Sequence, residues 1–147
     1  MDNTLLKALF RRIAPLEGGT AGIVGYGNFG KKVALCAKES SLRVLLCDPV
    51  LQQEDSDDVF EAFQESWGNG MGRCYYSDTL TETFLPLSCL IKECDILCIQ
   101  IPENKENLSL ITPEIFSQMK PHAVIVNFSS RKIVPFDDER VIFSGEE

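Results

Sequence analysis

Gly25-Tyr26-Gly27-Asn28-Phe29-Gly30 constrains this chain more than any other stretch. It is entered from the apolar run Ala21-Gly22-Ile23-Val24. It is left through a segment in which Phe29, Val33, Cys36 and Ala37 fall at i, i+4, i+7 and i+8, one face of a helix. Strand, glycine turn and helix in that order read as the phosphate-binding corner of a dinucleotide fold. In the spacing Gly-x-Gly-x-x-Gly, Gly25 permits the tight turn, Gly27 lets backbone approach a pyrophosphate, and Gly30 lets the helix close on the strand. Asn28 and Phe29 open that helix, whose N-terminus is expected to point at the phosphates. Asp48 stands 18 residues beyond Gly30, at the end of a second apolar run Val44-Leu45-Leu46-Cys47, where a carboxylate can accept hydrogen bonds from an adenosine ribose. The same acid repels a 2′-phosphate, and Pro49-Val50-Leu51 supply no arginine to receive one, so NAD is expected over NADP. Two plainer readings stand beside these. Ten glycines in 147 residues can produce the motif in an ordinary loop, and Asp48 can be no more than a turn residue ahead of Pro49.

The length suits one domain with a sizeable core, and 44% hydrophobic with 24% charged residues is ordinary for a globular protein. A net charge of −8 argues against nucleic acid and anionic membrane surfaces, which reward clustered lysine and arginine. Acidic runs at Glu54-Asp55-Ser56-Asp57-Asp58 and near the C-terminus are read as solvated surface. The six cysteines lie scattered through apolar segments without a Cys-x-x-Cys pair, which reads as small core residues in a reducing, cytoplasmic setting. With one histidine, His122, no zinc site is expected. No apolar stretch approaches the roughly 20 residues of a membrane span, and no secretory leader is read at the N-terminus.

Along the chain, Leu5, Leu6, Leu9, Phe10 and Ile13 repeat at helical spacing, with Asn3 or Thr4 able to cap the start and Pro15 ending the helix. Strands are expected at Thr20 to Val24 and Arg43 to Cys47. Residues 52 to 73 are irregular, and a short strand is expected at Cys74-Tyr75-Tyr76. Leu87, Leu90, Ile91 and Cys94 mark another helix, which hands over at Asp95 to the apolar strand Ile96 to Ile101 stopped by Pro102. Thr112-Pro113-Glu114 is a helix start, with Ile115, Phe116 and Met119 on its buried side, and Ala123 to Val126 is a further buried strand. Alternating strands and helices predict an α/β chain: an N-terminal helix in residues 1–17, then one Rossmann-type domain over 18–147 built on a doubly wound parallel sheet. Val141-Ile142-Phe143 is left open as a sixth strand.

From about Leu5 to Arg131 these landmarks together closely resemble the cofactor-binding domain of the D-isomer-specific 2-hydroxyacid dehydrogenases. The resemblance rests on Gly22 to Gly30, on Cys47-Asp48-Pro49, and on the join from Leu87 to Leu97. It rests also on Pro102, Leu110-Ile111, Met119-Lys120-Pro121 and Val124-Ile125-Val126-Asn127. It implies NAD as cofactor, held by Gly25, Gly27, Asn28, Phe29, Gly30, Asp48, Pro49, Ile101, Pro102 and Asn127. Gln100 stands where many relatives carry histidine, which places a polar group toward the cofactor cleft.

The family's catalysis needs an arginine after the Asn strand, a histidine acid/base and a glutamate that orients it. Arg131 is the candidate arginine, but Asn127-Phe128-Ser129-Ser130-Arg131-Lys132 carries one residue more than the family's Asn-x-x-Arg-Gly, with lysine for glycine. The histidine has no counterpart: His122 falls in a turn on the wrong side of the sheet. Neither a substrate lobe before Leu5 nor the family's histidine loop is recognised. The expectation is therefore an NAD-binding module of a 2-hydroxyacid dehydrogenase that binds NAD without turnover. A missing substrate-domain chain and a homodimer are the expected partners, the dimer because Leu5, Leu6, Leu9 and Phe10 would otherwise form an exposed apolar stripe. The alternative is a non-enzymatic, NAD-responsive or protein-interaction domain.

Overall fold

The computed structural model describes residues 2–13, 18–47 and 83–144. Asp48, Pro49 and the strand expected at 74–76 lie outside them. Helix α1 (Asn3–Ile13) is followed by β1 (Thr20–Val24), α2 (Asn28–Glu39), β2 (Arg43–Cys47), β3 (Thr83–Phe84), α3 (Leu87–Glu93), β4 (Ile96–Ile99), a single-turn α4 (Pro113–Phe116), β5 (Val124–Asn127), a 3₁₀ turn at Arg131–Ile133, and β6 (Val141–Phe143). The strands form one parallel sheet in the order β3-β2-β1-β4-β5-β6, the doubly wound order whose direction reverses between β1 and β4. Val141–Phe143 is thus a sixth strand, pairing with β5.

β1 and β4 are buried along their whole length, which is what continuous apolar runs with helices on both faces produce. One face carries a core of Leu6, Phe10, Ile23, Val33, Leu46 and Val126 under α1 and α2. The other carries Leu90, Ile91, Leu97, Ile111, Ile125 and Ile133 under α3, α4 and the 3₁₀ turn. Register decides what meets at the sheet's C-terminal edge: Cys47 pairs with Val24, Val24 with Ile99, Ile99 with Asn127 and Asn127 with Phe143. The turns leaving these strands therefore emerge side by side.

Several expectations change in the folded chain. The N-terminal cap of α1 is Asp2, whose Oδ1 accepts from the Leu5 N–H at 2.9 Å, rather than Asn3 or Thr4. Leu6, Leu9 and Phe10 are buried in the chain's own core, leaving Leu5 as the exposed member of the expected stripe. The fourth strand ends at Ile99, two residues early: the Gln100 N–H still bonds Val24 O, but the Ile101 N–H turns to Ser129 Oγ instead of a neighbouring strand. Thr112 does cap its helix, its Oγ1 accepting from the Ile115 N–H at 3.2 Å. Cys36, Cys89, Cys94 and Cys98 are free thiols, as expected of small core cysteines. Burial pushes the Cys94 thiol up to about 12 and raises Cys98 as well, which makes both inert packing groups.

Candidate functional site

The glycine turn joins the C-terminal end of β1 to the N-terminus of α2. Gly25 has φ +102°, a conformation L side chains rarely adopt, and a Cβ there would lie 2.3 Å from the carbonyl oxygen of Gln100. A Cβ on Gly30 would lie 2.0 Å from the carbonyl oxygen of Gly25, so the helix can close on the turn only without one. Gly27 differs from both, since a Cβ there would meet nothing within 4 Å. The outer side of the turn is open while its inner side is packed shut. Gly27 is also the N-cap of α2 and brings no side-chain hydrogen bond, which leaves the first-turn N–H groups without a side-chain cap. An open concave turn, uncapped amides and the positive end of a twelve-residue helix suit an anionic diphosphate. The Lys31 ammonium, 5.7 Å from the centroid of the Tyr26 ring, adds a cation beside the turn.

The loops after β4 and β5 form the neighbouring wall. Ile101 is buried, with its side chain near the Cα of Gly25, and its N–H donates to Ser129 Oγ at 2.8 Å. Pro102 offers its carbonyl to Asn107 Nδ2 at 2.8 Å. Asn127 is placed at the expected strand end, but its buried amide is engaged within its own loop. Oδ1 accepts from the Ser129 N–H at 2.9 Å and Nδ2 donates to the Ser130 carbonyl at 3.0 Å. Phe29, in the first turn of α2, meets Phe128 edge to face with centroids 5.2 Å apart, so the glycine turn and the loop after β5 touch through two rings.

Arg131, the one catalytic candidate, shares a cavity with Asn127, while His122 stands apart from both, as its place in the sequence led one to expect. Arg131 begins the 3₁₀ turn with its guanidinium 3.9 Å from the centre of the Phe143 ring, lining a cavity of about 170 Å³ with Asn127, Phe136 and Asp137. Ser130, third after Asn127, donates to Glu103 Oε1 at 2.5 Å across the two loops. His122 precedes β5 at the opposite end of the sheet, its Nε2 2.6 Å from Asp95 Oδ1. Sequence reading missed the lacing by Ser129, the Ser130–Glu103 pair and the Phe29–Phe128 contact. Each joins residues far apart in sequence, and no local pattern announces it. No group of three metal-ligating side chains occurs among the described residues, nor any helix long and apolar enough to cross a membrane.

Comparison with known proteins agrees with this geometry. Residues 70–138 match the family model described as D-isomer specific 2-hydroxyacid dehydrogenase, NAD binding domain. A D-3-phosphoglycerate dehydrogenase of Synechocystis sp. is 31% identical over 127 residues, covering 86% of this chain and 19% of that protein. A glyoxylate reductase of Thermococcus onnurineus is 30% identical over 117 residues, 80% of this chain and 29% of that protein. In fold, the chain is similar to an NAD-dependent formate dehydrogenase from Staphylococcus aureus solved in complex with NAD. The TM-score is 0.58 at 24% identity, over 80% of this chain and 28% of that one. The chain thus spans 19% to 29% of the length of these relatives.

Proposed function

Because the chain belongs to the D-isomer-specific 2-hydroxyacid dehydrogenase family through that family's NAD-binding domain, we propose that it binds NAD(H) at the reversal between β1 and β4 and does not turn over 2-hydroxy acids by itself. NAD is the cofactor of this domain. The observation that carries the reading is the contrast within the turn: Gly25 and Gly30 are packed against backbone while Gly27 faces open space. Backbone amides of Asn28 and Phe29 would hold the pyrophosphate, Asp48 the adenosine ribose, and Ile101 and Pro102 would wall the nicotinamide side. Bound there, NAD supplies hydride transfer to or from the C2 carbon of a 2-hydroxy or 2-keto acid.

The rest of the chemistry would need a histidine acid/base and a cation free to meet a substrate carboxylate. The chain's one histidine is at the far end of the sheet, and Arg131 stacks on Phe143. At the third position after Asn127 stands Ser130, paired with a carboxylate, where a substrate carboxylate requires a cation. General acid/base groups contribute about 10²- to 10⁴-fold, so their loss argues for binding without turnover. Either a substrate-binding lobe, on another chain or in a longer form of the protein, completes the enzyme, or the domain serves as an NAD-responsive module.

Calorimetric titration of the full chain with NADH and NADPH tests the binding. Saturable NADH binding with weaker NADPH binding is expected, and no NADH binding overturns the reading. Incubation with NAD and glycerate, lactate or 3-phosphoglycerate, followed at the NADH absorbance band, tests the second part. Turnover lost in Arg131→Ala would overturn it.

A further inference from the structure

We propose that Gln100 is a positioning residue of the nucleotide site, its side-chain amide fixing the peptide between Gly25 and Tyr26 in the orientation that binds a diphosphate. The proposal rests on the NAD-binding reading above. Gln100 follows β4, yet its side chain reaches back to β1: Nε2 donates to the Val24 carbonyl at 2.8 Å and to the Gly25 carbonyl at 3.0 Å. Val24 O already accepts from the Gln100 backbone N–H at 3.0 Å. The bond to Gly25 O is therefore the additional constraint. A trans peptide is planar, with its C=O and N–H pointing in opposite directions. Holding the Gly25 carbonyl toward Gln100 directs the N–H of Tyr26 away from it. Gly25 sits at positive φ, where glycine has the most backbone freedom to lose, and Gly30 packs on the same carbonyl. A turn this free needs an external hold if it is to be preformed for a ligand.

A second observation shows that packing alone does not account for the side chain. Gln100 Oε1 is buried without a hydrogen-bond partner, the one such side-chain atom among the described residues. Reversing the amide would set that oxygen against two carbonyl oxygens, so the two carbonyls dictate the orientation and the orphaned acceptor is its cost. An apolar residue would avoid that cost and give up the brace.

The full chain and its Gln100→Leu and Gln100→Glu variants separate positioning from mere support. Two readouts are needed: calorimetric affinities for NADH, ADP-ribose and adenosine, and backbone amide hydrogen exchange without nucleotide. In Gln100→Leu, affinity for NADH and ADP-ribose falls about tenfold, as for two hydrogen bonds, while adenosine, which lacks phosphate, changes less than about twofold. Exchange quickens across residues 25–30 and not across 124–127. Gln100→Glu behaves like the leucine variant while its carboxyl is ionised and recovers affinity as the pH falls and the group becomes a donor; the parent shows no such recovery. Equal loss for adenosine and ADP-ribose, or unchanged affinity and exchange, overturns the proposal. A parent that binds none of the three ligands sinks the NAD reading separately. Exchange then decides the brace: quickening confined to residues 25–30 supports it, and no change overturns it.

Discussion

At the N-terminal end of the sheet, Asp95 has every carboxylate oxygen engaged; at the C-terminal end, Gln100 leaves a buried oxygen unpaired and the first turn of α2 has no side-chain cap. Asp95 Oδ2 accepts from the Thr20 N–H at 2.8 Å, and Oδ1 accepts from His122 Nε2 at 2.6 Å and lies 3.5 Å from Lys120 Nζ. Its backbone also bonds Thr20 and Val124, so one residue ties β1, β4 and β5 together at their starts. Burial pushes the Asp95 carboxyl upward, but the bonds from His122, Thr20 and Lys120 outweigh it and hold the group below its usual range. The lesson lies in what is left unfinished. Saturated polar groups at the closed end serve the fold, whereas at the open end a buried acceptor is left unpaired to hold the glycine turn, and the first turn of α2 has no side-chain cap to compete with a ligand.

The comparison breaks most sharply at Gly27. Gly27→Val is expected to cut NADH affinity by about a hundredfold or more, the loss of charge-assisted hydrogen bonds to a diphosphate, with little change in the denaturation midpoint because a Cβ at this position meets nothing within 4 Å. Gly30→Ala is its control: a Cβ 2.0 Å from the Gly25 carbonyl should cost about 1–3 kcal/mol of stability as well as binding. Equal NADH affinity for Gly27→Val and parent would move the site elsewhere.

At the closed end, Asp95→Ala strands the Thr20 N–H and is expected to lose about 1–3 kcal/mol in denaturant titration. Its NADH affinity should stay within about twofold of the parent if the two ends are independent. A smaller effect is expected at Asp48, where Asp48→Ala should reduce the preference for NADH over NADPH by about tenfold, since one or two hydrogen bonds and one charge repulsion are removed. NADPH binding the parent as tightly as NADH would contradict that role.

The smallest effect concerns acid. A carboxyl whose folded value is depressed contributes stability above its unfolded value, about 3.9 for Asp, and that contribution fades as pH falls through the folded value. The parent should therefore lose stability below about pH 4 more steeply than Asp95→Asn, measured by denaturant titration in acid with His122 and Lys120 intact. Parallel curves would show that Asp95 bears no net linkage.

The sequence by itself determined what depends on neighbouring residues. β1 and β2 run where their apolar runs place them, Thr112 caps the helix that Pro113 begins, and the glycine spacing located the turn. Local conformation and periodicity are written within a few residues, so a single chain displays them. Tertiary structure alone decided which groups spanning 75 or 76 residues meet: Gln100 with Val24 and Gly25, and Asp95 with Thr20. It also buried Leu6, Leu9 and Phe10 in the chain's own core, turned the Asn127 amide inward, and set Arg131 on Phe143. Hydrogen-bond satisfaction and close packing are properties of whichever surfaces the parallel register brings together. That register is fixed only when all the strands have paired.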